Sequence, residues 1–384
     1  MKVGLCTPYK VDNYGTKLQA YAVQVKIKSL GYEVEIVNFD RRSDHRFVKL
    51  LKRYANKEYL QGKLRKKTDA RKNSALMRVN LIVRKDAINS FDKSHYKLTP
   101  LIKGYHELCH CAEQYDAVIC GSDQIWNPDL VPTDSMYWLP FVEKGKNKIA
   151  YAPSFGASTV SEKQKEQIKA NLSTFKAVSC RENSGARTIN LIIDEKKCEA
   201  VLDPTMLIER GFWDTISENK IYNEKYIFAY MLRGTATQRK YIENIAREKN
   251  LKIVSIPFLD YEKIDLYDLK FGDYKLWDAD PAEFISAIRH AEYVFCDSFH
   301  CIVFSILYHR PFFVFPKVGA NGKVKESQIS RMTDLLELAE IKNRILFDNE
   351  EADLDAEIDW NNSDKKIQKA RCDSERYLEQ ALFM

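Results

Sequence analysis

The sequence predicts an α/β protein made of two doubly wound halves that face each other across a cleft, and three observations carry that prediction. Short apolar runs alternate with segments of helical period along most of the chain, the pattern of parallel βαβ units. After Asp203-Pro204 the alternation lapses into an irregular polar stretch around 215–223 and then starts afresh, which places the domain boundary near 205–225. The length, 384 residues, exceeds what one hydrophobic core normally serves. With 45% hydrophobic and 30% charged residues, the composition is that of a globular chain and excludes extensive disorder, collagen-like repeats and coiled coils.

Taken in order, the first half opens with a buried strand over residues 2–6 and a loop through Asn13-Tyr14-Gly15. A helix over 16–30, a stop at Gly31 and a strand over 34–38 complete a βαβ opening. Residues 41–100 break the rhythm: eighteen Lys/Arg stand there against five Asp/Glu, so the net charge of +6 is local. Runs such as Lys63-Leu64-Arg65-Lys66-Lys67 and the amphipathic 76–83 read as a helical, basic insertion. Alternation resumes with helices expected at 105–111, 162–172 and 182–191, and strands at 117–120, 148–152, 177–180 and 200–202.

The second half supplies strands at 226–232, 253–256, 293–296 and 312–315, with helices at 237–249, 281–291 and 300–308. Ile367, Ala370, Tyr377, Leu378, Ala381 and Leu382 recur at helical spacing, which predicts a closing amphipathic helix. The expected domains are therefore 1–210 with the basic insertion 41–100, 222–360, and a helix over 365–384 that returns to the first domain.

The apolar run in Met1–Pro8 is too short for a signal-peptide core, and no later stretch reaches membrane-spanning length. The expected location is the cytoplasm or the inner face of a membrane. Nine scattered cysteines, an odd number, suit reduced thiols. Cys109-His110-Cys111 has no second CxC or CxxC to complete a zinc site, so no metal is expected.

Open α/β sheets bind ligands where strands deliver their C-terminal ends. Two such places carry chemistry. Val118-Ile119-Cys120 runs into Gly121-Ser122-Asp123-Gln124-Ile125-Trp126-Asn127-Pro128, a turn whose glycine admits a ligand and whose Asp123 and Gln124 can bind hydroxyls. Tyr293-Val294-Phe295-Cys296 runs into Asp297-Ser298-Phe299-His300, which offers a helix N-terminus for an anion and an imidazole for proton exchange.

Those two motifs are joined, in order, by Asn13-Tyr14-Gly15-x-x-Leu18-Gln19, Tyr151-Ala152-Pro153-Ser154-Phe155-Gly156, Ser179-x-Arg181-Glu182 and Asp203-Pro204-Thr205. Together they resemble the polysaccharide pyruvyl transferase family over about residues 1–340, outside the basic insertion. The resemblance implies two Rossmann-like domains similar to the B-type glycosyltransferase fold. It implies phosphoenolpyruvate as donor, a sugar hydroxyl pair as acceptor, a cyclic pyruvate ketal as product, and neither metal nor other cofactor.

Such chemistry needs an acid/base and cationic clamps for a donor with two anionic groups. The resemblance makes His300 the candidate acid/base and Arg233 a donor ligand. Some family members carry arginine two residues before the histidine, where this chain has Ser298. Ser298 and Phe299 then open a helix that can hold phosphate with less charge, and the missing charge is sought at Arg331, expected just before a leucine-rich helix, at Arg181, or at Lys323 or Lys325 in the loop ahead of that helix. Asp123 is the candidate to orient or deprotonate the acceptor hydroxyl, with Asn13, Gln19 and Gln124 on other sugar oxygens and Tyr14 or Trp126 stacked on a ring. The acceptor is lipid-linked or polymeric, and the basic insertion is suited to acidic polysaccharide intermediates or to anionic lipid headgroups, the plainer reading being a solvated helical face.

Rival readings are a nucleotide-sugar glycosyltransferase of the same fold and a carbohydrate-binding protein that has lost its chemistry. A dinucleotide oxidoreductase is disfavoured because the first loop lacks G-x-G-x-x-G. Nucleic-acid binding is disfavoured because the basic stretch lacks interleaved aromatic platforms.

Overall fold

A computed structural model describes all residues except 41–73, 158–159, 194–196, 218, 259–265, 318–323, 325, 348–349 and 384. Most of the basic insertion, together with Lys323 and Lys325, therefore lies outside the described residues.

The first half runs β1 (Lys2–Cys6), α1 (Tyr14–Ser29), β2 (Glu33–Ile36), β3 (Phe39–Asp40), α2 (Ser74–His95), β4 (Ile102–Lys103), α3 (Tyr105–Glu113), β5 (Ala117–Cys120) and β6 (Asn147–Ala150). It continues with α4 (Glu162–Leu172), β7 (Val178–Cys180), α5 (Asn183–Asn190), β8 (Cys198–Ala200), α6 (Pro204–Leu207) and α7 (Arg210–Ile216). The second half has β9 (Tyr226–Tyr230), α8 (Ala236–Glu248), β10 (Lys252–Ser255), β11 (Tyr274–Lys275), α9 (Pro281–Arg289), β12 (Tyr293–Cys296), α10 (Phe299–Leu307), β13 (Phe312–Val314) and α11 (Glu326–Leu338). The helix α12 (Trp360–Phe383) closes the described chain.

Among the described residues all strand pairs are parallel. The first sheet has the order β2-β1-β5-β6 and is prolonged towards β7 and β8 by a bridge between Ile149 and Ala177. The second has the order β11-β10-β9-β12-β13. Such strands must be apolar on both faces, because helices cover both. Every residue of β5 and of β9 is accordingly buried.

The order places a switch point in each sheet. Connections leave β1 for β2 on one side and return to β5 on the other, and likewise from β9 to β10 and back to β12. Cys6 pairs with Cys120 and Tyr230 with Cys296, so the loops that follow these four strands open two crevices.

The halves share one core. A single buried cluster contains Val3, Leu5 and Ile36 of the first sheet, Phe228 and Val294 of the second, and Leu378 of α12. Tyr14, at the start of α1, stacks on Phe284 of α9 with ring centroids 5.1 Å apart, and its hydroxyl donates to Ala279 O at 2.9 Å. From the second half α12 crosses to the first: Trp360 stacks on His309, while Tyr377 Oη donates to Ala150 O at 2.9 Å.

Three segments differ from the sequence expectation. Residues 204–216, to which the sequence assigns no element, form α6 and α7, and only the end of α7 reaches the polar stretch; α6 is capped by Asp203, whose carboxylate accepts from Thr205 N. Arg331, expected ahead of a leucine-rich helix, lies inside α11. Within the insertion, α2 extends to His95 and bridges the halves: Arg84 donates to Pro257 O, Leu276 O and Trp277 O at 3.3, 2.9 and 2.8 Å.

Candidate active site

The two crevices meet where the N-terminus of α1 faces that of α10. Gly15 is what lets them meet. A Cβ at this position would lie 2.1 Å from His300 Nδ1 and 2.4 Å from His300 Cγ, closer than any side chain tolerates. Asn13 fixes the start of α1, its Oδ1 accepting from Thr16 N at 3.1 Å.

Behind His300 stands Asp203. His300 Nε2 is 3.4 Å from Asp203 Oδ2, an ion-pair separation longer than a well-formed hydrogen bond, and has no other partner among the described residues. The same Oδ2 accepts from Arg181 Nη1 at 2.9 Å and Ser122 Oγ at 3.2 Å, and Oδ1 accepts from Thr205 N at 3.0 Å and Oγ1 at 2.6 Å. Burial alone would raise this carboxyl. The His300 and Arg181 charges and the Thr205 donors instead hold it well below the usual carboxylate range.

Asp123 sits at φ 77°, a left-handed turn that aspartate tolerates better than most residues. The turn sends its carboxylate back to α1, where Oδ2 accepts from Thr16 Oγ1 at 2.6 Å, while Oδ1 accepts from Gln124 N at 2.8 Å. Burial opposes ionisation here too, and the charges of Arg181 and His300 with the Thr16 hydroxyl prevail, holding the carboxyl below its ordinary value.

The two arginines of the cluster differ: Arg181 is paired with Asp203 at 2.9 Å and lies 3.9 Å from Glu182 Oε2, and despite burial these carboxylates with Asp123 push its guanidinium up. Arg181 lies over the Phe299 ring with its guanidinium carbon 4.1 Å from the centroid, yet its Nε and Nη2 are buried without a hydrogen-bond partner among the described residues. Arg331 Nε is in the same state. Burial, with repulsion from Arg181, pushes the Arg331 guanidinium down to about 10. The nearby acids are largely spent on backbone: Glu182 Oε1 accepts from Phe155 N and Gly156 N at 2.7 and 3.0 Å, and Asp297 accepts from Leu232 N and Arg233 N, each at 2.7 Å. A cavity of about 210 Å³ adjoins the arginines, lined by Arg181, Asp203, Phe299 and Arg331 together with Ala370 and Ser374 of α12, and neither His300 nor Asp123 lines it.

Of the residues singled out in the sequence, His300, Asp123, Arg181, Phe299 and Arg331 come together. Arg233 is exposed beside the loop that Asp297 ties down, and Ser298 caps α10 with no side-chain cap bond. Gln124 is partly buried and accepts from Asn127 Nδ2 at 3.3 Å.

Three expected sugar contacts are corrected. Trp126 is fully buried and stacked on Trp138 at 4.7 Å, so it has no face for a ring. Tyr14 is spent on Phe284 and Ala279. Gln19 is fully buried, its amide donating to Thr7 Oγ1, Pro8 O and Thr16 O.

Sequence reading assigned no role to Asp203, Gly15, Thr16 or Lys317. Asp-Pro-Thr was a legible helix cap, but its partners Arg181 and His300 are brought to it only by the fold. Lys317 follows β13, and burial, with Arg331 and Arg233 nearby, pushes its ammonium down while Asp297 resists. Among the described residues no three His, Cys, Asp or Glu side chains converge on a metal position, and no helix is long and apolar enough to cross a membrane.

Comparison with known proteins agrees with this architecture. Among solved structures, UDP-GlcNAc 2-epimerase from Neisseria meningitidis, bound to UDP-GlcNAc, aligns at TM-score 0.50 with 10% identity, covering 99% of this chain and 94% of that one. A Listeria monocytogenes protein provisionally assigned as a UDP-N-acetylglucosamine 2-epimerase gives 0.52 and 8%, over 99% and 90%. At such identities the likeness concerns the fold, the two-domain arrangement seen in B-type glycosyltransferases and these epimerases. No curated protein matches the chain. The model of polysaccharide pyruvyl transferases matches residues 13–316, a span holding both crevices and the helix starts that meet at Gly15 and His300. The chain thus belongs to the polysaccharide pyruvyl transferase family.

Proposed function

We propose that the protein transfers the pyruvyl group of phosphoenolpyruvate to a sugar of a surface polysaccharide, or to its lipid-linked precursor, closing a cyclic ketal and releasing phosphate. The observation that carries this reading is the buried cluster at the meeting of the two crevices. There an imidazole and an ionised Asp123 stand beside two arginines with buried donors, Arg181 Nε and Nη2 and Arg331 Nε, that have no hydrogen-bond partner among the described residues. Buried guanidinium N–H groups without acceptors call for a ligand that brings anionic oxygens, and this donor brings a carboxylate and a phosphate.

Arg181 and Arg331 take the donor's anionic groups, with Arg233, Ser298 and the first turn of α10 adding to them. Asp123 orients the attacking hydroxyl, with Asn13 and Gln124 nearest to it on the acceptor side. His300 exchanges the proton. The hydroxyl adds to the donor's central carbon as the terminal carbon gains a proton, and the second hydroxyl displaces phosphate. No metal or further cofactor enters this scheme. The surplus of Lys/Arg over 41–100 supports peripheral contact with an anionic membrane from the cytoplasmic side, and adding anionic lipid to liposomes should raise binding.

The test is phosphate release from phosphoenolpyruvate with galactosyl, mannosyl and N-acetylhexosaminyl acceptors, comparing wild type with His300→Ala. Acceptor-dependent release that the variant loses is expected. Silence across the panel, with thermal stabilisation by a nucleotide sugar and none by phosphoenolpyruvate, would transfer the site to glycosyl chemistry.

A further inference from the structure

The surroundings of His300 are asymmetric, and the asymmetry bears on which nitrogen works. On one side Nε2 looks at Asp203 Oδ2 across 3.4 Å and has no other partner among the described residues. On the other, Nδ1 lies against Gly15, in the first turn of α1. The leading N–H groups of that turn have no carbonyl of their own helix to bond, and they form the positive end of its dipole.

We propose that Asp203 is the positioning residue for His300: its carboxylate keeps the proton on Nε2 and so makes Nδ1, on the Gly15 side, the nitrogen that takes and returns protons. A lone pair on Nε2 would face a carboxylate oxygen and be repelled. An N–H there is instead attracted by the carboxylate across 3.4 Å. At Nδ1 the preference reverses, because an N–H would face the positive end of α1 whereas a lone pair is favoured. Both ends of the ring thus select the same tautomer.

The carboxylate is suited to this part because it cannot turn away. Arg181, Ser122 and both donors of Thr205 hold its two oxygens from the first half, while His300 approaches from the second. The charged groups around the ring are Asp203, Asp123 and Arg181. When Nδ1 takes the proton of an attacking hydroxyl, the oxygen keeps the electron pair for its new bond to carbon. The imidazolium so formed keeps its Nε2 proton and is balanced by Asp203 without any rearrangement of the protein. The absence of a side chain at Gly15 is then a requirement of the chemistry as well as of packing.

This inference rests on the assignment of His300 as acid/base, and its test needs no substrate. In the full-length protein with ¹⁵N-labelled histidine, long-range proton–nitrogen spectra distinguish protonated from unprotonated ring nitrogens. The expected result for neutral His300 is a protonated Nε2 and an unprotonated Nδ1. In Asp203→Ala, folded as judged by circular dichroism, the preference should fall towards an even mixture, and kcat for acceptor-dependent phosphate release should fall at least tenfold with a smaller change in KM for phosphoenolpyruvate. A dominant Nδ1–H form in the wild type overturns the proposal, and so does an unchanged tautomer in the variant. If Asp203→Ala does not fold, the wild-type spectrum alone decides. Loss of the pyruvyl-transfer reading would appear as absent turnover with the tautomer intact, so the two failures are distinguishable.

Discussion

Gly15 and Asp203 show how much the site asks of single residues. Alanine at Gly15 would place a methyl group inside the His300 ring contact. We expect Gly15→Ala to lower stability by about 1–3 kcal/mol, as overpacking does. It should also lower kcat roughly 100-fold by displacing the imidazole, measured by denaturant titration and phosphate release. Asp203 makes a pH prediction. Its carboxyl is held below its unfolded value, so its contribution is complete above the unfolded pKa of about 3.9 and is lost as pH falls towards the folded one. Asp203→Asn should therefore cost about 3 kcal/mol at pH 7, as for a broken buried pair, and the gap to wild type should narrow at pH 3. An equal gap at both pH values would show that its charge does not matter. These residues were visible in the motifs, but their partners were not, since Asp203 and His300 are joined only when two sheets are folded against each other.

At the scale of elements, the alternation of strands and helices was legible because buried parallel strands leave apolar runs that no surface segment imitates. The short helices α6 and α7 escaped, being shorter than the window of about 11 or more residues over which helical periodicity shows. The function of α2 also escaped. Its sequence reads as a basic helix on the first half, whereas Lys17 on α1 pairs with its Asp92 at 2.5 Å and Arg84 takes three carbonyls from the second half. Nothing in the sequence points to bare carbonyls almost 200 residues away. Arg84→Ala should cost about 2–4 kcal/mol, since it deletes charge-assisted hydrogen bonds at a buried site, and proteolysis near α2 should quicken. A cost below 0.5 kcal/mol would show that α2 is held by its apolar face alone.

For the whole molecule, the shared core decides how the halves behave. Domains joined by a small polar interface move and unfold separately, whereas here one buried cluster includes strands of both sheets and α12. Unfolding is therefore expected to be one cooperative transition, with calorimetric and van't Hoff enthalpies in agreement. Two resolved transitions would mean that the shared core does not couple the sheets. The path of α12 has a further consequence, for synthesis on the ribosome. The strands of the second sheet are contiguous in the chain and are all present once β13 has emerged, but Ala150 and Leu202 of the first half wait for Tyr377 and Ser374. The half that is translated first is thus the one completed later. Nascent chains halted before α12 should expose apolar surface around β6 and α6 and should be the form that chaperones hold.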